Sequence, residues 1–259
     1  MPKLIHSGVE IFYTVEGKGP AVLLTHGFCG SSAMWRAQIK ALQSRYTVIT
    51  WDMRGHAQSS SPKRSSAYSV ALSLTDMNGI LDACGVERAV IGGFSLGGLI
   101  SLDFYLKYPQ RVNGLLLVDT GPGFRSVEAQ RKWNEGAKYW ARLLETHGLG
   151  AFEIEPQLSG TDTHQAIHSS TQGLALAARG GLKRSSDHVI RSIKDISVPT
   201  LVIVGANDKP FLGAADYMAR KIPGSQKVVI AGAGHASNLD QPELFNRAVK
   251  KFLNNVPMR

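Results

Sequence analysis

Hydrophobic residues follow two alternating patterns along this chain, short continuous runs and longer segments in which they recur every three or four positions. Continuous apolar runs are typical of strands buried on both faces of a sheet, and the longer repeat is typical of amphipathic helices. The predicted strands are Val9–Val15, Ala21–Thr25, Tyr46–Trp51, Ala89–Ile91, Val112–Val118, Val198–Val204 and Gln226–Ile230. The predicted helices are Ala33–Ser44, Val70–Cys84, Phe211–Lys221, Pro242–Leu253 and a segment that follows Gly98 and ends before Pro109. The last of them along the chain, Pro242–Leu253, has an apolar stripe of Leu244, Phe245, Ala248, Val249, Phe252 and Leu253.

The alternation of strands and helices is interrupted once, between Phe124 and Asp195, where the chain contains only helical patterns rich in aromatic residues, leucine and alanine. Alternating elements predict an α/β fold with a mostly parallel central sheet and helices on both faces. We therefore predict a core formed by residues 1–122 and 197–259, with a helical cap inserted at residues 123–196. Since ligands of such sheets bind at the carboxyl ends of the strands, we expect the cap to lie over the functional site.

The most informative short motif is Gly93-Phe94-Ser95-Leu96-Gly97, a G-x-S-x-G pentapeptide between a predicted strand and a predicted helix. A turn of this kind holds the serine in a strained backbone conformation, with its hydroxyl projecting from the end of the sheet. Its glycines are needed because a side chain there would collide with the neighbouring strand or helix. The segment lacks the central glycine of a dinucleotide-binding loop and the lysine of a P-loop.

A serine hydroxyl needs a base to remove its proton, and the base needs a carboxylate to orient it. In a sheet of this kind the acid and then the histidine are expected in loops after later strands. Asp208 follows the strand that ends at Val204, and His235 comes 27 residues later, after the strand Gln226–Ile230. Asp119 also ends a predicted strand and remains an alternative acid.

These motifs together resemble the α/β-hydrolase fold superfamily, and they span nearly the whole chain outside the predicted cap. The matching pieces are His26-Gly27, the D-x-R-G-x-x-x-S pattern of Asp52–Ser59, Gly93–Gly97, Gly205–Asp208 and Gly234-His235. The resemblance implies Ser95 as nucleophile, His235 as base, Asp208 as acid and the backbone N–H groups of Phe28 and Leu96 as the oxyanion hole. It implies neither a metal nor an organic cofactor.

Two positions qualify the resemblance. Ala57 stands where the family pattern usually has glycine, so the loop of Asp52–Ser59 is expected to differ in geometry. The residue at the centre of the pentapeptide is Ser95 rather than aspartate, which argues against the dehalogenase and epoxide hydrolase chemistry of similar proteins. A non-catalytic ligand receptor of the same fold remains a possible reading.

Several other residues have both a chemical and a structural interpretation. We expect His26 and His56 to be loop hydrogen-bonding residues and Cys29 to be a small packed residue. His164 and His168 are four residues apart, but without a third ligand a surface location is favoured over a metal site. The sequence leaves open whether three aromatic residues line the pocket or pack the cap: Trp133, Tyr139 and Trp140.

The 259 residues are 43% hydrophobic and 19% charged, which is enough apolar content for a sizeable core. The net charge of +9 is spread along the chain, with 11 basic and 8 acidic residues over 1–120, 10 and 8 over 121–197, and 8 and 4 over 198–259. This spread argues against a nucleic-acid partner and is compatible with an anionic substrate or an acidic acyl-carrier partner.

The cysteine count and the first residues bear on the cellular compartment. Cys29 and Cys84 are the only cysteines, and the chain begins without a visible signal peptide or any apolar run long enough to span a membrane. We expect a cytoplasmic protein.

The sequence thus predicts a serine hydrolase acting on a small carboxylic ester, lactone or thioester. Carbon–carbon bond hydrolysis and cofactor-free haloperoxidase or perhydrolase activity remain alternatives on the same machinery.

Overall fold

The structure is a computed structural model that describes residues 3–155 and 168–258. Within these residues eight strands form one sheet, in the order β1-β2-β4-β3-β5-β6-β7-β8. The strands are β1 (Lys3–His6), β2 (Val9–Glu16), β3 (Ala21–Thr25), β4 (Thr47–Trp51), β5 (Ala89–Phe94), β6 (Val112–Val118), β7 (Thr200–Gly205) and β8 (Gln226–Ile230). The pairs β1–β2 and β2–β4 are antiparallel and the remaining pairs are parallel, which confirms the predicted α/β fold with a mostly parallel sheet.

Helices cover both faces of this sheet. They are α1 (Arg36–Leu42), α2 (Val70–Ala83), α3 (Leu96–Lys107), α4 (Val127–His147), α5 (Ala151–Ile154), α6 (Thr171–Gly181), α7 (His188–Ser192), α8 (Lys209–Lys221), α9 (Ser237–Asp240) and α10 (Pro242–Leu253). Alternate residues of one strand pack on opposite faces. Leu23 packs in the cluster that includes residues of α2, α3 and α8, whereas Val22 and Leu24 pack in the cluster that includes residues of α1 and α10.

The predicted elements agree best where the apolar pattern is continuous. The bounds of β3, β8 and α10 are those predicted, whereas β1 and α9 were not predicted because each is only four residues long. The predicted helix Ala33–Ser44 is divided into a 3₁₀ turn, Ser32–Trp35, and α1. On α10 the predicted stripe is too wide, because Leu244 is 38% exposed.

Between β6 and β7 the described residues contain helices and no strand, as predicted for the insertion. We call residues 123–155 and 168–196 the helical block. Its longest helix, α4, buries Ala137, Ala141 and Leu144, which follow one another at helical spacing. The division of the chain into a core and a cap domain at residues 122 and 196 stays a prediction. None of the helices over the described ranges is long and apolar enough to cross a membrane.

Candidate active site

Ser95 lies at the turn between β5 and α3, with a φ of 51° and a ψ of −113°. The turn is closed so tightly that its glycines cannot carry side chains. A Cβ on Gly93 would lie 2.2 Å from the carbonyl carbon of Gly97, and a Cβ on Gly97 would lie 2.3 Å from the carbonyl oxygen of Thr25. The Ser95 N–H donates to the Val118 carbonyl at 2.9 Å, which ties the turn to the neighbouring strand.

A chain of two hydrogen bonds runs from Ser95 through His235 to Asp208. The His235 Nε2 atom is 3.2 Å from the Ser95 hydroxyl, and its Nδ1 atom is 2.8 Å from a carboxylate oxygen of Asp208. Phe211 stacks on the imidazole at a centroid distance of 4.8 Å and an interplanar angle of 23°. Asp208 is only 4% exposed, and it lies at the start of α8. The imidazole is therefore held in one orientation between a hydroxyl and a buried carboxylate.

Asp119, the alternative acid, is engaged elsewhere. One of its carboxylate oxygens accepts a hydrogen bond from the Gly205 N–H at 2.7 Å, and the other accepts from the N–H and hydroxyl of Ser237. Burial raises the Asp119 pKa to about 7, although these hydrogen bonds oppose the shift. Asp119 thus joins the loop that carries Asp208 to the loop that carries His235, while the imidazole itself bonds to Asp208.

The hydroxyl of Ser95 faces a cavity of about 770 Å³. Aromatic and aliphatic side chains from the core and the helical block dominate its lining, and they include Phe28, Phe94, Leu96, Leu99, Phe124, Trp133, Trp140, Leu182 and Phe211. The open question about the aromatic residues of α4 is answered separately for each: Trp133 and Trp140 line the cavity, whereas Tyr139 is 43% exposed. Among the described lining residues none is a lysine or an arginine, so the positive charge of the chain does not enter the cavity.

A family model described as "alpha/beta hydrolase fold" matches residues 20–146. The structure of a thermophilic esterase from Thermogutta terrifontis, determined with malate bound, is 30% identical, covers 98% of this chain and 97% of its own, and superposes with a TM-score of 0.83. The chain belongs to the α/β-hydrolase fold family.

Two further relatives of this α/β hydrolase are lactonases. The enol-lactonase from Burkholderia xenovorans LB400 is 25% identical, with coverage of 98% and 100% and a TM-score of 0.79. The 3-oxoadipate enol-lactonase 2 of Acinetobacter baylyi is 29% identical over 256 residues, which are 95% of this chain and 93% of that protein. The chain is therefore similar over its whole length to enzymes that carry esterase and lactonase names.

The loop predicted to form part of the oxyanion hole of this hydrolase is a tight turn. The Gly30 N–H donates to the Gly27 carbonyl at 3.0 Å, and Cys29 has a φ of 57°, a value for which glycine is the usual residue. Phe28 occupies the turn and lines the cavity. Leu96 is the first residue of α3, so its N–H has no acceptor within the helix. Both predicted oxyanion donors thus lie on backbone that borders the cavity.

Two buried histidines support the neighbouring backbone, as predicted. His26 Nε2 accepts from the Met53 N–H at 2.9 Å, and His56 Nε2 accepts from the Cys29 N–H at 3.2 Å. Burial lowers the pKa of both side chains, that of His26 to about 4. These imidazoles are neutral acceptors at neutral pH, and a proton on either accepting nitrogen would break its bond. Cys29 is buried as predicted, and neither it nor the half-buried Cys84 forms a disulfide.

His168 contradicts the prediction of a surface histidine, because it is only 8% exposed. Its Nε2 atom donates to the Cys29 carbonyl at 2.9 Å, and its Nδ1 atom accepts from the Ala57 N–H at 3.2 Å. His164, its predicted partner, lies outside the described residues. Over residues 3–155 and 168–258 no cluster of three His, Cys, Asp or Glu side chains is arranged to hold a metal ion.

Sequence reasoning missed several cavity residues that have no motif of their own. Phe124 and Leu182 belong to the helical block, and Phe211 and Ala214 lie on the first two turns of α8. Phe211 had one usable signal, its position three residues after Asp208 in a helix whose N-terminus faces the site. Leu182 had none, since a leucine that lines a cavity and a leucine that packs a helix look the same in sequence.

Proposed function

We propose that this α/β hydrolase is a serine hydrolase that cleaves a small carboxylic ester, lactone or thioester through an acyl-enzyme on Ser95. The observation that carries the proposal is the hydrogen-bonded series Ser95–His235–Asp208 beside a largely apolar cavity. The esterase and lactonase names of its relatives support the same class of reaction.

In the first half of the reaction the Ser95 oxygen attacks the carbonyl carbon, and His235 Nε2 takes the hydroxyl proton. Asp208 accepts a hydrogen bond from Nδ1–H, which keeps Nε2 free as the base and stabilises the imidazolium that forms. The negative oxygen of the tetrahedral intermediate is stabilised by the backbone N–H groups of Leu96 and Phe28. Loss of one such donor typically costs about 2.7–4 kcal/mol of transition-state stabilisation.

The intermediate collapses when the bond to the alcohol or thiol breaks and His235 returns its proton to the leaving group. Water then attacks the acyl-enzyme, with His235 Nε2 again accepting a proton, and the carboxylic acid leaves as Ser95 regains its hydrogen. The stacked ring of Phe211 and the bond to Asp208 hold the imidazole in place for both proton transfers.

A fluorophosphonate probe and p-nitrophenyl acetate test this proposal together. We expect the probe to label Ser95 and Ser95→Ala to lose labelling and about 10⁵-fold or more of kcat/KM, since removing a catalytic serine has effects of this size. Ser44→Ala, a change at an exposed serine, is the matched control and should retain full activity. A folded Ser95→Ala protein with unchanged activity would refute the proposal.

The same experiment separates the alternatives. A receptor of this fold would bind ligands without being labelled or turning over. A carbon–carbon bond hydrolase would be labelled but would cleave a dienone acid far faster than any ester, and a haloperoxidase would require peroxide for its activity.

A further inference from the structure

Part of the cavity wall is a continuous series of aromatic rings. Phe28 stacks on Trp140 with ring centroids 6.1 Å apart and planes at 16°, and Trp140 meets Trp133 edge to face at 6.2 Å. Phe124 contacts Trp133 at 5.6 Å. We call these four residues the aromatic wall. The Trp133 indole N–H donates to the Leu182 carbonyl, so that ring is fixed and its polar atom is already satisfied.

The described residues that line the cavity include no lysine or arginine to pair with a negative charge. The basic residues adjacent in sequence to lining residues are all exposed and do not line it: Arg125, Lys132, Lys183 and Lys209. Asp208 contributes a carboxylate to the lining, and residues 156–167, which lie outside the described structure, contain neither lysine nor arginine. An anion buried without a partner loses its hydration without compensation, so this lining disfavours a negatively charged substrate.

Building on the proposed serine hydrolase function, we propose that the substrate is an uncharged ester that carries an aromatic ring, seated on the aromatic wall. A cavity of about 770 Å³ accommodates a molecule much larger than an acetate ester, since pockets of roughly 300–1,000 Å³ hold drug-sized ligands. Contacts between aromatic rings stabilise a bound flat aromatic group more than a saturated group of equal size.

Matched methyl esters test the charge and the ring separately. The set is methyl 3-phenylpropanoate, its 4-carboxyphenyl analogue and methyl 3-cyclohexylpropanoate, all with the same leaving group. The acetates of 2-phenylethanol and 2-cyclohexylethanol place the ring in the alcohol. We expect kcat/KM at least 100-fold lower for the carboxylated ester, and at least a fivefold preference for phenyl over cyclohexyl in one of the two series.

Two neighbouring residues of α4 supply the variant and its control. Trp140→Leu should bring the phenyl-to-cyclohexyl ratio close to one, whereas Tyr139→Leu should leave it unchanged because Tyr139 is exposed outside the cavity. A carboxylated ester cleaved within tenfold of its neutral partner, or equal rates for phenyl and cyclohexyl in both series, overturns the substrate class. Absence of all turnover together with absence of fluorophosphonate labelling overturns the proposed function instead.

A second and independent observation concerns the backbone beside Phe28. Cys29 and Ala57 both have positive φ, 57° and 40°, although neither is glycine. Such conformations are costly for residues with a side chain and persist only where the surroundings hold them. One imidazole bonds to both residues: His168 donates to the Cys29 carbonyl and accepts from the Ala57 N–H.

His168 is itself fixed from both sides. Phe152 of α5 lies nearly parallel to the imidazole at 6.1 Å and 18°, and His56 meets it edge to face at 6.1 Å. The two hydrogen bonds specify the tautomer with the hydrogen on Nε2. Since His168 lies three residues before the start of α6, a residue of the helical block holds a loop of the core.

The geometry points to His168 as a positioning residue for the oxyanion hole of the proposed reaction. It holds the Cys29–Gly30 peptide through the Cys29 carbonyl, and the Gly30 N–H of that peptide donates to the Gly27 carbonyl. Since the Gly27 carbonyl and the Phe28 N–H belong to one peptide group, this series orients the Phe28 N–H toward the developing oxyanion. Its effect therefore falls on the transition state rather than on substrate binding.

Three substitutions test this role. His168→Phe removes both hydrogen bonds, His168→Gln keeps a donor near the Nε2 position, and His168→Asn keeps an acceptor near the Nδ1 position. We expect His168→Phe to lower kcat by about 30-fold with KM within threefold, and His168→Gln to recover most of the loss. The inhibition constant of a trifluoromethyl ketone, which mimics the oxyanion, should rise in parallel with the loss of kcat/KM across the three variants.

A purely structural role would give a different result. All three variants would then have lower melting temperatures, while kcat per folded molecule and the ketone inhibition constant would remain those of the wild type. That outcome overturns the assignment, and it can be read from the Gln and Asn variants even where His168→Phe does not fold.

Discussion

The site edge of the core is the edge of the sheet at which Ser95, Asp208 and His235 meet. Its backbone conformations differ from those of the helical block that covers it. Five described non-glycine residues have positive φ, and four of them lie at the site edge: Cys29, Ala57, Ser95 and Asp119. The described residues of the helical block include none. Backbone strain of this kind concentrates at functional sites, where neighbouring contacts must hold it.

The two regions also differ in chemistry. The site edge contains the hydroxyl, imidazole and carboxylate groups together with glycines that allow backbone to approach backbone. The helical block contributes apolar rings in ordinary helical conformations. The difference indicates that changes at the site edge act on the rate and on stability, whereas changes on the cavity-lining side of α4 act on which substrate is bound.

The largest effect should separate the two acids of the site edge. Asp208→Asn is expected to lower kcat by about 10⁴-fold, because an amide favours the wrong imidazole tautomer. Asp119→Asn should instead lower the free energy of unfolding by about 1–3 kcal/mol, since it disrupts buried hydrogen bonds to Gly205 and Ser237. Kinetics with p-nitrophenyl acetate and denaturant titrations measure both quantities, and a larger kinetic loss in Asp119→Asn would reverse the assignment of the acid.

The next effect concerns pH and stability. Burial lowers the His26 pKa in the folded chain to about 4 from the ordinary histidine value of 6.5, so at pH 5 the unfolded chain binds that proton and the folded chain does not. Because His26 binds its proton more tightly in the unfolded chain, acidification from pH 7.5 to 5 lowers the free energy of unfolding by about 2 kcal/mol. Asp119, with a pKa raised to about 7, binds a proton in the folded chain over the same range and acts in the opposite direction.

The two linkages can be separated by mutation. Asp119→Asn removes the carboxyl group that binds a proton in the folded chain. We therefore expect the free energy of unfolding of this variant to fall more steeply than that of the wild type as the pH is lowered from 7.5 to 5. Urea unfolding at the two pH values measures the difference. His147→Gln, a change at an exposed histidine of α4, serves as the control. Equal slopes for Asp119→Asn and the wild type would contradict the role given to Asp119.

A smaller effect is expected in the helical block. Trp133→Phe shortens the aromatic wall and removes the hydrogen bond to the Leu182 carbonyl. Since the wall contacts ground state and transition state alike, KM for an aryl ester should rise about tenfold with kcat within threefold. Tyr139→Phe on the exposed side of the same helix should leave both constants unchanged. A loss confined to kcat would show that α4 takes part in the chemistry.

The smallest effect is a gain in stability at the site edge. Ala57→Gly places glycine where φ is 40° and should raise the free energy of unfolding by up to about 1 kcal/mol. Ala71→Gly, at an exposed position of α2, should lower it by about 0.5–1 kcal/mol instead. Thermal unfolding of the two variants compares them directly, and a destabilised Ala57→Gly would mean that the local strain is not relieved by glycine.

Much of the fold could be predicted from the sequence because its signals are local. Continuous apolar runs indicated β3, β6 and β8, and the three-to-four repeat indicated α2 and α10. The G-x-S-x-G pentapeptide indicated the turn at Ser95, and its first glycine depends on a local contact, since a Cβ on Gly93 would meet Gly97. Its second glycine depends on a distant one, since a Cβ on Gly97 would meet Thr25 of the neighbouring strand.

Other features depend on contacts between distant parts of the chain, and only the tertiary structure decided them. Asp119 and Asp208 both follow strands, and their different partners emerge only when Gly205 and Ser237 are brought to one and His235 to the other. The sequence favours a surface location for His168, whereas the fold places it between two strained loops of the core. Sequence patterns record which face of an element is buried, whereas a partner more than a hundred residues away is specified only by the packing of the whole molecule.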